Sequence, residues 1–356
     1  MNPTVIELAK KLMSIPSTAG NAEALREVLS VTKKELDGTA FTPYEKEGVP
    51  SVLFFNTRSI PTSFRVILNA HLDVVPGSAS QFVPRVDGDR LIGRGAYDMK
   101  AAAAVELAVF REAAKKVSYP LGLQLVTDEE TGGFNGTKCQ VTEGVRAEFV
   151  VVGECSSNLS VGTESKGMLW QVVTFKGMPA HGAYPWNGKN AVLQAGQFLN
   201  DLIKRFPIPE KATWQTTVNV GSVETPNKTF NKVPDECKVR LDIRYIPSDS
   251  KTILADIASL VPKSASTETI LFEPAHTNDA DNSFLKSLTT AITAAGKSGE
   301  STRMHGGSDL RHFNSPGVEF GPVGAGHHTD DEWVSIQSLS EYYEILLTFL
   351  LSLDRK

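Results

Sequence analysis

Apolar and polar positions along this 356-residue chain follow two rhythms, and the change between them falls near residue 166. Over the first 165 residues helical and strand periods alternate: a helix at about 4–14, strands near 51–56 and 65–72, and a helix at about 100–117. The runs LGLQLV (121–126) and EFVVVG (148–153) are short and rich in Val and Leu, which predicts buried strands, and each leads into acidic residues. Such alternation predicts α/β layers around a mostly parallel sheet. From 166 the order becomes strand LWQVVTFKG, helix NAVLQAGQFLNDLIKR, strand TTVNVGSVE, strand KVRLDIRYI, a helix around 251–261 and strand TETILFE. This βαββαβ series predicts a compact α+β insert. After about 277 a helix, the strand VEFGPVG and a final helix return to the first pattern. The expectation is a discontinuous α/β domain, 1–165 plus 277–356, interrupted at 166–276 by a smaller domain acting as a lid or partner surface.

Composition narrows the function. The length exceeds the single-core range of about 250–300 residues, in keeping with two domains. Net charge is -5 with no basic block, so nucleic acid is a poor partner. Cys139, Cys155 and Cys237 are odd in number and form no C-x-x-C pair, which argues against a disulfide framework and fits a reducing cytoplasm. Lys10 and Lys11 interrupt the apolar pattern near the start, and ILLTFLLSL (345–353) is about half a membrane span, so no membrane partner is expected. GRGAYD and GGFNGTK match neither glycine-rich nucleotide motif.

In open α/β sheets ligands collect at the carboxyl ends of strands, so polar residues just after strand signals carry the candidate chemistry. His71 and Asp73 follow VILNA, Glu129 and Glu130 follow LQLVTD, Glu154 ends FVVVG, and His327 and His328 follow the strand ending at Gly324. Asp98 adds a fifth site in GRGAYDMK. Carboxylate and imidazole donors without cysteine suit a catalytic zinc site. Two metals about 3.5–4 Å apart need a shared carboxylate, a role open to Asp98. Three ligating carboxylates and one bridging hydroxide would neutralise two divalent ions. Asp73, two residues past His71, can orient the imidazole through its other nitrogen. Glu129, beside Glu130 but free of metal, can take a proton from water and deliver it to a leaving amine. Alone, the Glu129 and Glu130 pair reads better as a cap on a helix after the strand, and spacing does not choose between His327 and His328.

The segments HLDVVPG (71–77), GRGAYDMKAA (93–102), DEETGG (128–133), GE (153–154), GGSDLRHF (306–313) and HHTDDEWV (327–334) together resemble the dinuclear zinc aminoacylases and exopeptidases. That family includes succinyl-diaminopimelate desuccinylase, acetylornithine deacetylase, aminoacylase-1 and the zinc glutamate carboxypeptidases, and its motif order runs across nearly the whole chain. The resemblance implies that His71 and Glu154 hold one metal, Glu130 and His328 the other, that Asp98 bridges them, and that Glu129 is the general base and acid. It implies a homodimer formed through the insert, with His181 of KGMPAHGAYP reaching across to stabilise the oxyanion. Asn231, Arg244, Gly306, Gly307 and Ser308 match positions that contact substrate, the arginine being suited to a carboxylate. The expected activity is hydrolysis of an N-acyl amino acid, of the acetylornithine deacetylase or succinyl-diaminopimelate desuccinylase type, with two ions: zinc, or cobalt or manganese on the same ligands. A dipeptidase or carboxypeptidase is the alternative, and a non-catalytic metal-dependent binding module the more distant one.

Overall fold

Val52 and Phe54 lie on one face of their strand and Leu53 and Phe55 on the other, yet all four are buried. Phe149 and Val151 against Val150 and Val152 repeat the pattern. Strands apolar on both faces need a layer above and a layer below, which places them at the centre of an α/β sandwich. The structure is a computed structural model that describes residues 3–355. The chain forms two compact units: Met1–Thr163 with Asn278–Thr302 and Ser308–Lys356, and Glu164–Thr277 with Arg303–Gly307.

In the first unit the sheet's centre is parallel, in the order Leu121–Val126, Phe64–His71, Ala147–Val152, Gly317–Glu319. The antiparallel hairpin Ala40–Lys46 and Val49–Phe55 extends it on one side, and Val161–Ser165 continues it antiparallel on the other. Phe64–His71 lies between Leu121–Val126 and Ala147–Val152, the next two strands of this sheet in sequence, so the strand order reverses there and a crevice opens at the carboxyl ends.

One face is covered by a cluster that draws on the helices Pro3–Met13, Ala22–Glu35, Lys100–Ala113, Ser283–Ala294 and Ile336–Ser352. Ala101 to Ala104 are wholly buried, and their small side chains let Lys100–Ala113 run through the interior. Lys100 is buried too, its Nζ donating to the carbonyls of Leu12 (3.0 Å) and Ile15 (2.7 Å) just where Pro3–Met13 ends. On the other face a buried polar ladder runs from Asn69 to Gln124 (2.6 Å), Gln124 to Gln140 (3.0 Å) and Gln140 to Ser51 (2.9 Å). A small antiparallel sheet, Gly324–Ala325, Trp333–Ser335, Arg90–Ile92 and Arg85–Asp87, brings two distant loops together.

Glu106, on the inner side of Lys100–Ala113, is fully buried and accepts from Tyr342 Oη at 2.8 Å. Burial pushes its carboxyl well above the ordinary value, and the tyrosine bond only partly opposes this. The folded protein therefore keeps a proton that the unfolded chain releases near pH 4.3. The associated stability is fully present below that pH and is lost progressively as pH climbs to the folded value. Glu106→Gln cannot ionise. It is expected to gain in melting temperature over the wild type as pH is raised from 5 to 8; a difference that stays constant across that range would contradict this account.

The second unit is a four-stranded antiparallel sheet, ordered Thr217–Glu224, Glu236–Tyr245, Gly167–Lys176, Ala265–Glu273. Alternate residues Val239, Leu241 with Ile257 and Phe198 share its core beneath the helices Ala191–Arg205 and Ile253–Leu260. Asn190 caps the longer helix by accepting from the backbone of Val192 and Leu193. The element order is the βαββαβ series that the sequence predicts. The segment Arg303–Gly307 also belongs to this unit, which the periodicity does not announce.

Candidate active site

His71 is the last residue of its strand, and its buried ring sits at the carboxyl-end crevice. Its Nε2 lies 2.9 Å from Asp98 Oδ1 and 3.6 Å from Glu154 Oε1. The Nδ1 side is held by the main-chain carbonyl of Asp73 at 3.0 Å, with the Asp73 carboxylate at 3.6 Å. That carboxylate accepts instead from the backbone N–H groups of Glu129 (3.2 Å) and Glu130 (3.0 Å). Asp73 thus orients two parts of the site at once, the imidazole through its backbone and the acidic pair through its side chain.

Glu129 and Glu130 open a 3-10 turn, Glu129–Thr131, that closes on Gly132 (φ 112) and Gly133 (φ 65). A Cβ on Gly133 would stand 2.0 Å from Asp309 Oδ1, so the close approach of this turn to Asp309 requires glycine. The Gly132 carbonyl accepts from Arg311 Nη2 (2.9 Å) and lies 2.9 Å from His312 Nε2. A carbonyl only accepts, so this contact places the proton of His312 on Nε2. Arg311 Nη1 is also 3.6 Å from Glu129 Oε1. Asp309 itself accepts from Thr137 Oγ1 at 2.6 Å, joining the turn's support to the helix Thr137–Thr142.

His328 has a left-handed backbone (φ 61) at the tip of the loop between Gly324–Ala325 and Trp333–Ser335. Its Nε2 stands 3.2 Å from Asp98 Oδ2 and 3.0 Å from Glu130 Oε2. His327 turns toward the Tyr97 ring, 5.9 Å between centroids. Of the two neighbours, His328 is the one that meets the acidic cluster. Asp98 stands between the imidazoles, one carboxylate oxygen toward each.

The electrostatics follow from crowding carboxylates out of water. Burial pushes Glu154 well above its ordinary value and Glu130 up to about 7, and raises Glu129, with His71 and Arg311 opposing the rise at Glu129. Burial also raises Asp98, but hydrogen bonds from His328 and His71 outweigh it and leave that carboxyl low. His328 is raised to about 9, chiefly by its bond to Asp98. Cations placed among these carboxylates would relieve the same strain. Donor atoms of His71, Asp98 and Glu130, and of His71, Glu129 and Glu154, lie within 4.8 Å of one another. Proximity alone therefore does not separate Glu129 from the ligands.

In the second unit His181 is exposed, its Nδ1 accepting from Ala183 N at 3.1 Å and its ring tilted on Tyr184. Asn231 is its neighbour across a backbone bond from Gly182 (2.7 Å). Arg244 already holds a carboxylate, Asp242, through Nε (2.8 Å) and Nη2 (3.2 Å). Gly306 and Gly307 fall in this unit, and Ser308 in the other. Ser308 is buried, donates to Glu319 Oε1 at 2.8 Å and caps the turn Asp309–His312. Arg311, His312 and Glu332 support the site without a predicted role of their own; they stand inside GGSDLRHF and HHTDDEWV, which is the only signal that could have found them.

Residues 67–352 match the family model described as peptidase family M20/M25/M40. The chain is 27% identical over 382 residues to a succinyl-diaminopimelate desuccinylase of Methylocella silvestris, covering 98% of this chain and 97% of the relative. It is 29% identical over 325 residues to the enzyme of that name in Xanthomonas euvesicatoria, covering 80% and 84%. Among solved structures it resembles a tripeptidase from Staphylococcus aureus, with TM-score 0.81, 20% identity, and coverage of 99% and 98%. It also resembles a dinuclear metal-binding peptidase of the M20 family from Bacillus subtilis, with TM-score 0.72, 14% identity, and coverage of 99% and 98%.

Proposed function

This chain belongs to peptidase family M20/M25/M40 and is a hydrolase of amide or peptide bonds, and from that premise we propose that it is a two-metal amidohydrolase removing the acyl group from an N-acyl amino acid. The observation that carries the reading is the convergence of His71, Glu130, Glu154 and His328 around Asp98, with the partly buried Glu129 beside them. An all-oxygen-and-nitrogen donor set of this kind fits two divalent ions, zinc first and cobalt or manganese as substitutes. His71 and Glu154 would hold one, Glu130 and His328 the other, and Asp98 both. When bound, such ions would supply Lewis-acid polarisation of a scissile carbonyl and acidification of a water.

The chain's own groups supply the rest. Glu129 takes the proton of the attacking water and passes it to the amine nitrogen as the amide bond breaks. Asp73, through the backbone of the Glu129 and Glu130 turn, and Arg311, through the Gly132 carbonyl, hold that base in place. His181 would serve the oxyanion from the second subunit of a homodimer, and Asn231, Arg244, Gly306, Gly307 and Ser308 remain the proposed substrate contacts; Arg244 would exchange Asp242 for a substrate carboxylate. Among the described residues no helix is long and apolar enough to cross a membrane, and the scattered cysteines support a cytoplasmic setting for the proposed enzyme.

Desuccinylase relatives that cover nearly the whole chain favour deacylation over peptide cleavage. The test is a steady-state comparison of succinyl and acetyl amino acids with dipeptides, using zinc-loaded protein. A higher kcat/KM on an acyl amino acid supports the proposal; a clear preference for dipeptides makes the protein an exopeptidase with the same centre.

A further inference from the structure

Glu332 is 1% exposed, and four donors reach its carboxylate. Arg94 Nη1 (2.7 Å) and Gly95 N (3.1 Å) reach Oε2, while Tyr97 N (2.9 Å) and Asp98 N (3.1 Å) reach Oε1. The segment receiving this carboxylate is irregular, with Gly93 at φ 147 and Gly95 at φ 77, and lies outside any helix or strand. Its backbone N–H groups therefore have no ladder of their own to join; Arg94 N and Ala96 N find the carbonyls of Gln81 and Gly93, and a single buried anion collects those of Gly95, Tyr97 and Asp98. The last of those donors belongs to the residue whose side chain stands between the two imidazoles.

The source of the anion matters as much. Glu332 precedes Trp333, which pairs with Ile92 in the small antiparallel sheet, and the Glu332 carbonyl accepts from Gly93 N at 3.1 Å. His328 sits four residues earlier on the same loop and points at Asp98 and Glu130. One loop thus delivers an imidazole to the cluster and, through Glu332, fixes the backbone carrying the carboxylate that this imidazole faces.

We propose that Glu332 is a positioning residue of the metal centre: its buried carboxylate sets the backbone of residues 94–98 so that the two oxygens of Asp98 face separate ligand sets. The inference rests on the two-metal reading of the site. Glu332→Gln keeps the shape but turns one acceptor into an amide N–H₂ that confronts backbone N–H donors, so the segment must shift. Glu332→Asp keeps both acceptors on a stem one carbon shorter and can satisfy only part of the set.

The test is calorimetric titration of chelator-stripped protein with zinc, and with cobalt followed by its visible spectrum, alongside thermal melting of the metal-free forms. Wild type should bind two ions. Glu332→Gln should melt as a folded protein and bind at least one ion about 10–100-fold more weakly, the range typical for groups supporting a ligand, with Glu332→Asp between. A wild type that binds no ion overturns the two-metal reading and the inference with it. A folded variant with zinc affinity within about two-fold of a wild type that does bind overturns the inference alone. If neither variant folds without metal, Glu332 is a residue of the fold and the positioning role is rejected.

Discussion

Glu129→Gln is expected to lower kcat by roughly 10²–10⁴-fold, the usual contribution of a general base, while leaving two ions bound. The substitution preserves volume and hydrogen-bonding capacity but removes the only function that the proposed chemistry asks of this carboxylate. Its neighbours should not move, because the turn is held through the backbone by Asp73 and Arg311 and not through the Glu129 side chain alone. The measurement is kcat on the best substrate of the acyl and dipeptide panel, paired with metal analysis of the same preparation. Metal content decides between two roles, since Glu129 also lies within ligand distance of His71 and Glu154. A variant that loses an ion together with activity would make Glu129 a ligand, and one that turns over within tenfold of wild type would remove it from the mechanism.

Asp98→Ala removes both oxygens that stand between His71 and His328. The remaining donors then form two separate half-sites, His71 with Glu154 and His328 with Glu130, each short of a ligand. The expected outcome is fewer than two ions per chain, and a fall in hydrolysis of about 10²–10⁴-fold, matching the several kcal/mol that metal polarisation supplies. Chelation of the wild type should produce a comparable loss that added zinc reverses. Added zinc should not restore Asp98→Ala, and full recovery of that variant in millimolar zinc would show that no bridge is needed.

The legible parts of the fold are those whose pattern is set by burial of a whole element. LGLQLV occupies the strand Leu121–Val126 that its apolar run predicts, and the buried residues Ile345, Leu346, Phe349 and Leu350 place ILLTFLLSL on an inward helix face. The five ligand candidates were legible because each follows a strand end or a glycine turn, where side chains must project toward the crevice. The supporting residues were not, because their roles depend on backbone groups far away in sequence. Nothing within HHTDDEWV indicates that Glu332 will collect N–H groups from residues 95, 97 and 98. Asp73 illustrates the same limit. Period-two geometry puts its side chain near His71, yet the closer contact is its carbonyl, and its carboxylate serves the turn that carries Glu129 and Glu130. Arg244 shows how residue type alone under-determines function, since a guanidinium suited to a substrate carboxylate is already paired within its own strand.

The return of Arg303–Gly307 to the second unit alters what counts as a portable module. There His305 packs edge-on against Trp214 at 5.7 Å, and Arg303 lies over the same indole while pairing with Glu164 at 3.2 Å. A recombinant fragment cut at the linear boundaries 166–276 would strip His305 and Arg303 from that indole and leave Lys166 as its remaining cation. Grafting the unit onto another scaffold, or exchanging it between relatives, therefore calls for two crossovers per junction set, with the five-residue return segment travelling alongside the insert it completes.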